Sequence, residues 1–126
     1  MLVAALRGHG DAQFAVPILA AYATLQQTEP IHLFFDLEAL TSYESGLATR
    51  VARRLLPDRR RVTSVEALVK SRSVTMGFGI VGITIGRAFD ALTDRGQFEA
   101  AINKRLAENQ VIDFAAAALD ALSNSR

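Results

Sequence analysis

The residues best suited to chemistry gather between positions 36 and 46. Thr41, Ser42 and Ser45 supply hydroxyls, Asp36, Glu38 and Glu44 carboxylates, and Tyr43 a phenol, with Gly46 closing the set. Paired carboxylates such as Asp36 and Glu38 do acid–base work or hold magnesium when further groups converge on them. The sequence shows no such groups, and the simpler role for Asp36 is to accept amide protons from the loop after it. Thr41-Ser42-Tyr43-Glu44 fits a capping box, in which a hydroxyl takes an amide proton of the first helical turn and the glutamate returns the favour. A helix start also stabilises added negative charge, by ~0.3–1 kcal/mol when exposed. A phosphate on Ser45 would bring about −1.5 to −2 charge there, against the standing repulsion of Glu44.

Other chemistries find less support. The chain has no cysteine, which excludes disulfides, thiol catalysis and thiolate metal sites. His9 and His32 stand far apart in sequence, and His32 lies in an apolar run, where a histidine is a hydrogen-bonded sheet residue rather than a ligand. No nucleophile–base motif accompanies the hydroxyls, so no enzyme, cofactor or metal is expected. Gly77, Gly79, Gly82 and Gly86 lack the lysine and threonine of a phosphate loop and read as sites of close backbone packing. Arg50, Arg53, Arg54, Arg59, Arg60 and Arg61 suggest an anion surface, but Asp58 interrupts them, no aromatic residues interleave, and the net charge is +1. Arginines near a helix C-terminus, favourable to its dipole, are the simpler account. No nucleic-acid partner is expected.

The elements that must position these residues follow from the apolar pattern. The 126 residues, half of them hydrophobic and 21% charged, make one globular domain. Ile31–Leu37 is a continuous apolar run, the mark of a strand buried on both faces of a parallel or mixed sheet. Leu2–Arg7 reads as a strand before it, broken by Gly8-His9-Gly10-Asp11. Asp11 caps a helix with Pro17 in its first turn and Ile18, Leu19, Tyr22 and Leu25 on one face, and Gln26-Gln27-Thr28-Glu29-Pro30 ends it. A helix from about Tyr43 to Leu56 follows, facing Leu47, Val51, Leu55 and Leu56 inward. Then come a strand at Val62–Val69, a buried helix at Val74–Ile85 (a strand being the alternative), and a short strand at Ala88–Leu92. An amphipathic helix to about Glu108 presents Phe98, Ile102 and Leu106, and an alanine-rich helix spans Val111–Leu122. That order is an α/β domain with a mostly parallel sheet. Val74–Ile85 falls short of the ~20 residues that span a bilayer, and Met1–Arg7 lacks a signal-peptide layout. A cytoplasmic protein without stable membrane insertion is the expectation.

The chain resembles a STAS domain, the fold of anti-sigma-factor antagonists and of the cytoplasmic tails of sulphate transporters. Gly8-His9-Gly10-Asp11 is similar to the family's strand-Gly-x-x-Asp opening. Phe35-Asp36-Leu37-Glu38-Ala39-Leu40 followed by Tyr43-Glu44-Ser45-Gly46-Leu47 looks like its Asp-Leu strand end and Asp-Ser-Ser-Gly-Leu loop, and Phe98-Glu99-Ala100-Ala101 like its terminal helix. The loop is about one residue short. Aligned on Gly46, the family's phosphorylated serine falls on Glu44 and its second serine on Ser45; aligned on the acid, Ser45 takes the phosphoacceptor position. The family's extra N-terminal strand is missing, since the first strand starts at Leu2.

The resemblance implies a STAS-like mixed, mostly parallel sheet flanked by helices over residues 1–110, with a C-terminal helical extension over 111–126. It implies a non-enzymatic bacterial regulatory module that meets a protein partner, an anti-sigma-type kinase or another regulator, through Asp36, Thr41, Ser42, Tyr43, Glu44, Ser45 and Gly46. Two rivals stand beside it. One is a binder of a small apolar ligand, lipid or nucleotide, with Val74–Ile85 as a pocket wall; the other is a structural homodimer. The Val111–Leu122 helix either completes the monomer core or pairs two copies, and the homodimer is the preferred outcome because the domain pattern is complete by about Leu106.

Overall fold

The computed structural model describes residues 1–25, 30–86, 89–109 and 113–115. Strand β1 (Leu2–Gly10) leads through a 3-10 turn (Ala12–Phe14) into α1 (Ala15–Ala23), and β2 (Ile31–Tyr43) leads into α2 (Ser45–Leu55). A second 3-10 turn (Leu56–Asp58) precedes β3 (Val62–Leu68), α3 (Arg72–Ile85), β4 (Phe89–Leu92), α4 (Arg95–Asn109) and β5 (Asp113–Ala115). The strands form one sheet in the order β4-β3-β2-β1-β5, and every pairing is parallel.

Local chemistry explains where helices begin and end. Asp11 accepts from the Gln13 amide at 2.7 Å, and Pro17 sits in the first turn of α1, where an amide has no helical partner. Ser71 caps α3, accepting from the Val74 amide at 3.4 Å, and Gly86, at φ +72°, ends it in the left-handed conformation that glycine adopts without strain. Asp94 accepts from the Gly96 amide at 2.8 Å at the start of α4.

The layers follow from handedness. Crossovers between parallel strands are right-handed almost without exception. From β1 to β4 each step moves the same way across the sheet, which puts α1, α2 and α3 on one face. The step from β4 back to β5 runs the other way, which puts α4 on the opposite face. The buried clusters agree. Leu33, Phe35 and Leu37 of β2 pack with Ile18, Leu47, Val51, Phe78 and Val81. Phe34, on the alternate side of the strand, packs with Val3, Leu68 and Phe98, its ring edge-on to Phe98 at 6.1 Å.

Ile31–Leu37 is therefore an inner strand, buried on both faces and flanked by β1 and β3. Several expectations change. The sheet is all-parallel among the described strands rather than mixed, because each described connection is a helical crossover. β2 runs on to Tyr43, so Thr41, Ser42 and Tyr43 are strand residues and α2 opens at Ser45. Within the expected Val111–Leu122 helix, Asp113–Ala115 is a strand in register with Leu2–Ala4. The exposed backbone edge of β1 offers a ladder of hydrogen bonds that helix propensity does not weigh against. Residues 111–112 and 116–122 of that helix, Gln26–Glu29 at the end of α1, and Ala88 lie outside the described residues. The α3 segment is a helix as expected but is buried on one side, leaving Met76, Ile80 and Ile83 exposed. No helix among the described residues is long and apolar enough to cross a membrane.

Candidate ligand cleft at the carboxyl edge of the sheet

In a parallel sheet all strand carboxyl ends share one edge, and three arrangements occupy it here. The first is the projecting end of β1 and β2. β3 stops pairing at Leu68, opposite Asp36, whereas β1 continues along β2 to Tyr43. On this two-stranded ribbon the Thr41 hydroxyl donates to the Gly8 carbonyl at 3.1 Å. His9 Nδ1 and Ser42 Oγ, register partners across the strands, lie 2.7 Å apart. The expected capping box does not form. Glu44 is the N-cap residue but makes no side-chain cap bond; its Oε1 accepts from the Ala12 amide at 2.9 Å, and its own amide donates to the Gly10 carbonyl at 2.7 Å. The strand-to-strand ladder has claimed Thr41 and Ser42, so Glu44 ties the start of α2 to the turn after β1 instead. Tyr43 turns inward, its ring 5.3 Å from that of Phe78. Thr41, Ser42 and Glu44 remain exposed at this edge, and Gly46 is half-buried in the first turn of α2.

The second arrangement centres on Arg95, the first residue of α4. Its Nη2 lies 3.0 Å from Asp36 Oδ2 and 2.9 Å from Glu38 Oε1, and its Nη1 lies 3.5 Å from Glu99 Oε2. Hydrogen bonds first to Glu38 and then to Asp36 push the guanidinium pKa above its ordinary value. Asp36 thus serves α4 on the far face of the sheet, not the Ser42–Gly46 turn, and its contact to the following loop is the long 3.4 Å bond from the Glu38 amide. The structure separates Asp36 from the other expected site residues.

The third is a cleft between β3 and β4. The chain leaves β3 toward α3 on one face and leaves β4 toward α4 on the other, so the two connections diverge outside the strand carboxyl ends, although the strand order itself reverses elsewhere, between β1 and β5. Val69, Lys70, Ser71, Arg72, Thr75 and Thr93 line a cavity of about 280 Å³, and the Val69 amide donates to the Leu92 carbonyl at 2.8 Å. Thr75 Oγ1 donates to the Ser71 carbonyl at 2.9 Å. Arg95 is engaged by three carboxylates, whereas Lys70 and Arg72 have no ion pair or side-chain hydrogen bond among the described residues. Lys70 and Arg72, both exposed, therefore bring positive charge to the surface around the cleft, beside the electropositive start of a 14-residue helix.

Sequence reasoning reached the first arrangement and missed the third. The signal was present in Lys70-Ser71-Arg72-Ser73, a polar cationic stretch between a strand and a helix. What it lacked was the knowledge that the next connection changes face. The pairing of His9 with Ser42 was likewise invisible before the register was known. Compared with protein-family models, curated proteins and solved structures, the chain matches none.

Proposed function

We propose that this protein is a non-enzymatic binding module that takes a small anion, of phosphate or carboxylate type, in the cleft between β3 and β4. One observation carries the reading: Lys70 and Arg72 line a cavity at the carboxyl edge of the sheet without a carboxylate partner among the described residues, while the nearby Arg95 is paired three times over. The volume suits a small ligand, standing at the low end of the few hundred Å³ typical of ligand pockets. Hydroxyls of Ser71 and Thr93 can donate to an oxyanion there, whereas the Thr75 proton is spent on the Ser71 carbonyl. Calorimetric titration with inorganic phosphate and pyrophosphate tests it. Binding should weaken about tenfold for each of Lys70→Met and Arg72→Gln, the worth of one charge-assisted hydrogen bond, and should fall as salt rises. Absence of binding, or equal affinity in the double variant, overturns the reading.

A second reading keeps the STAS-like regulatory role. It is favoured by the ribbon that outruns β3 and leaves Thr41, Ser42 and Glu44 exposed at the functional edge. It places a protein partner at Thr41–Gly46 and expects Ser45 to stay unphosphorylated by an anti-sigma-type kinase, because Glu44 already occupies the field at the start of α2. Stoichiometric phosphate on Ser45 by mass spectrometry would favour the alternative alignment, with Ser45 as phosphoacceptor. Unchanged partner affinity in Glu44→Ala would remove the turn from the interface.

A further inference from the structure

We propose that Ser42 is a site of covalent acylation, its hydroxyl activated by the His9 imidazole toward a neutral activated acyl group, a thioester or reactive ester. His9 Nδ1 and Ser42 Oγ lie 2.7 Å apart. With the ring proton on Nε2 the hydroxyl donates to Nδ1, which is the contact of a nucleophile with its general base. Both residues are exposed, so a reactant reaches the oxygen from solvent. β1 also stands beside the point where the strand order reverses, and open parallel sheets take ligands outside the strand carboxyl ends at such a reversal.

An irregularity in the backbone makes this pair. Gly8 is the register partner of Leu40, yet His9 is the partner of Ser42, so β2 carries one extra residue, Thr41, at this step. Such bulges are rare between parallel strands, and near active sites they re-aim a side chain. Gly8 takes φ +69°, a conformation open to glycine without strain. In unbroken register His9 would face Thr41, a more hindered secondary alcohol. Instead Thr41 donates its proton to the Gly8 carbonyl at 3.1 Å, and the primary alcohol of Ser42 is left to the imidazole. The chain's other histidine meets a serine in the same way: His32 Nδ1 lies 3.0 Å from Ser64 Oγ, after a register shift that skips Thr63. That pair is half-buried at the amino end of β2, away from the carboxyl edge, and serves as an internal control.

The surrounding charges select the reaction. Asp11 and Glu44 at the end of the ribbon are balanced by Arg7 and by Arg50, whose guanidinium donates to the Ala12 carbonyl at 3.2 Å. Phosphoryl transfer relies on cations gathered round the transferred group, so a neutral acyl donor fits this edge better. In the step itself Ser42 Oγ bonds to the carbonyl carbon while Nδ1 takes the hydroxyl proton. The bond to the leaving thiolate or phenolate then breaks, and that group takes the proton from the imidazolium. The products are the O-acyl serine and a free thiol or phenol. This modification is independent of anion binding in the cleft between β3 and β4.

Incubation of the full chain with p-nitrophenyl acetate, read by peptide mass spectrometry, tests the proposal. Ser42 should gain an acetyl group while Thr41 and Ser64 stay unmodified. The reaction should be slower in deuterium oxide, because a proton moves in the transition state. His9→Ala should slow acetylation of Ser42 about a hundredfold, the lower end of what a general base contributes, and added free imidazole should restore part of the rate. Both side chains are exposed, so His9→Ala and Ser42→Ala should keep the wild-type circular dichroism spectrum. No acetyl group on Ser42, or a rate that His9→Ala leaves unchanged, overturns the proposal. Acetylation of His9 at the wild-type rate in Ser42→Ala equally overturns it, since the imidazole would then be the nucleophile.

Discussion

The ring of Tyr43 lies in the space that Gly77 leaves by having no side chain: a Cβ at Gly77 would overlap the Tyr43 hydroxyl and ring carbons. The last residue of β2 is thereby locked onto α3, with Phe78 edge-on beside it. This contact joins the projecting ribbon to the helix that begins at the cleft, so the two features of the carboxyl edge share one support. Gly77→Ala should cost about 1–3 kcal/mol, the usual range for overpacking, despite its better helix propensity. Combined with Tyr43→Ala the cost should not add, because the overlap disappears with the ring. Urea denaturation of the two single variants and the double variant measures this coupling; strict additivity would show that the residues do not constrain each other.

Glu66 gives a pH dependence of known sign. Burial raises its pKa above the usual carboxylate value, and Asp90 adds to the shift, with Arg105 and Lys104 opposing it. A carboxyl whose pKa is higher folded than unfolded holds more protons in the folded state, so its contribution declines as pH rises through that window. Glu66→Gln should therefore be more stable than wild type at neutral pH, with the difference shrinking as pH falls below the carboxylate range. Thermal melts at stepped pH check it. A variant less stable than wild type at neutral pH would show that the nearby cations outweigh desolvation.

Tyr22 joins α1 to the turn after α2. Its hydroxyl donates to Asp58 Oδ2 at 2.7 Å, and the Arg54 guanidinium stands 5.0 Å from its ring centroid. Burial first, and then the bond to Asp58, push the phenol's pKa above its ordinary value, so it stays neutral and donating through the physiological range. Tyr22→Phe should cost about 1 kcal/mol, below the usual range for a bond to a charged acceptor, because Arg54 and Arg61 still face Asp58 at 3.4 and 3.8 Å. Chemical denaturation gives the number. A loss near zero would mean that water replaces the phenol without penalty.

Arg95→Met removes the cation from Asp36, Glu38 and Glu99. Arg95 is 45% exposed, so solvent screens the network and the stability loss should stay near or below ~1 kcal/mol and shrink with added salt. Asp36→Asn, which returns the cluster to its original net charge, should recover part of it. A loss insensitive to salt would point to packing of the arginine stem rather than charge.

The strand–helix alternation, the two-sided burial of Ile31–Leu37 and the capping role of Asp11 belong to the sequence alone. Each rests on local pattern, on apolar periodicity or on a side chain bonding an amide two or three residues away. Tertiary structure decided the rest, because backbone pairing answers to whichever strand edge is free. Asp113–Ala115 sits among alanines with high helix propensity, yet it pairs with β1. Thr41 and Ser42 have the composition of a cap, yet Gly8 and His9 across the ladder bind their hydroxyls. The cleft depended on tertiary structure most of all. Thr93 joins Val69–Thr75 around one cavity only because β3 and β4 are neighbours in the sheet. The order in which strands assemble in space is a non-local outcome that no short window of residues encodes.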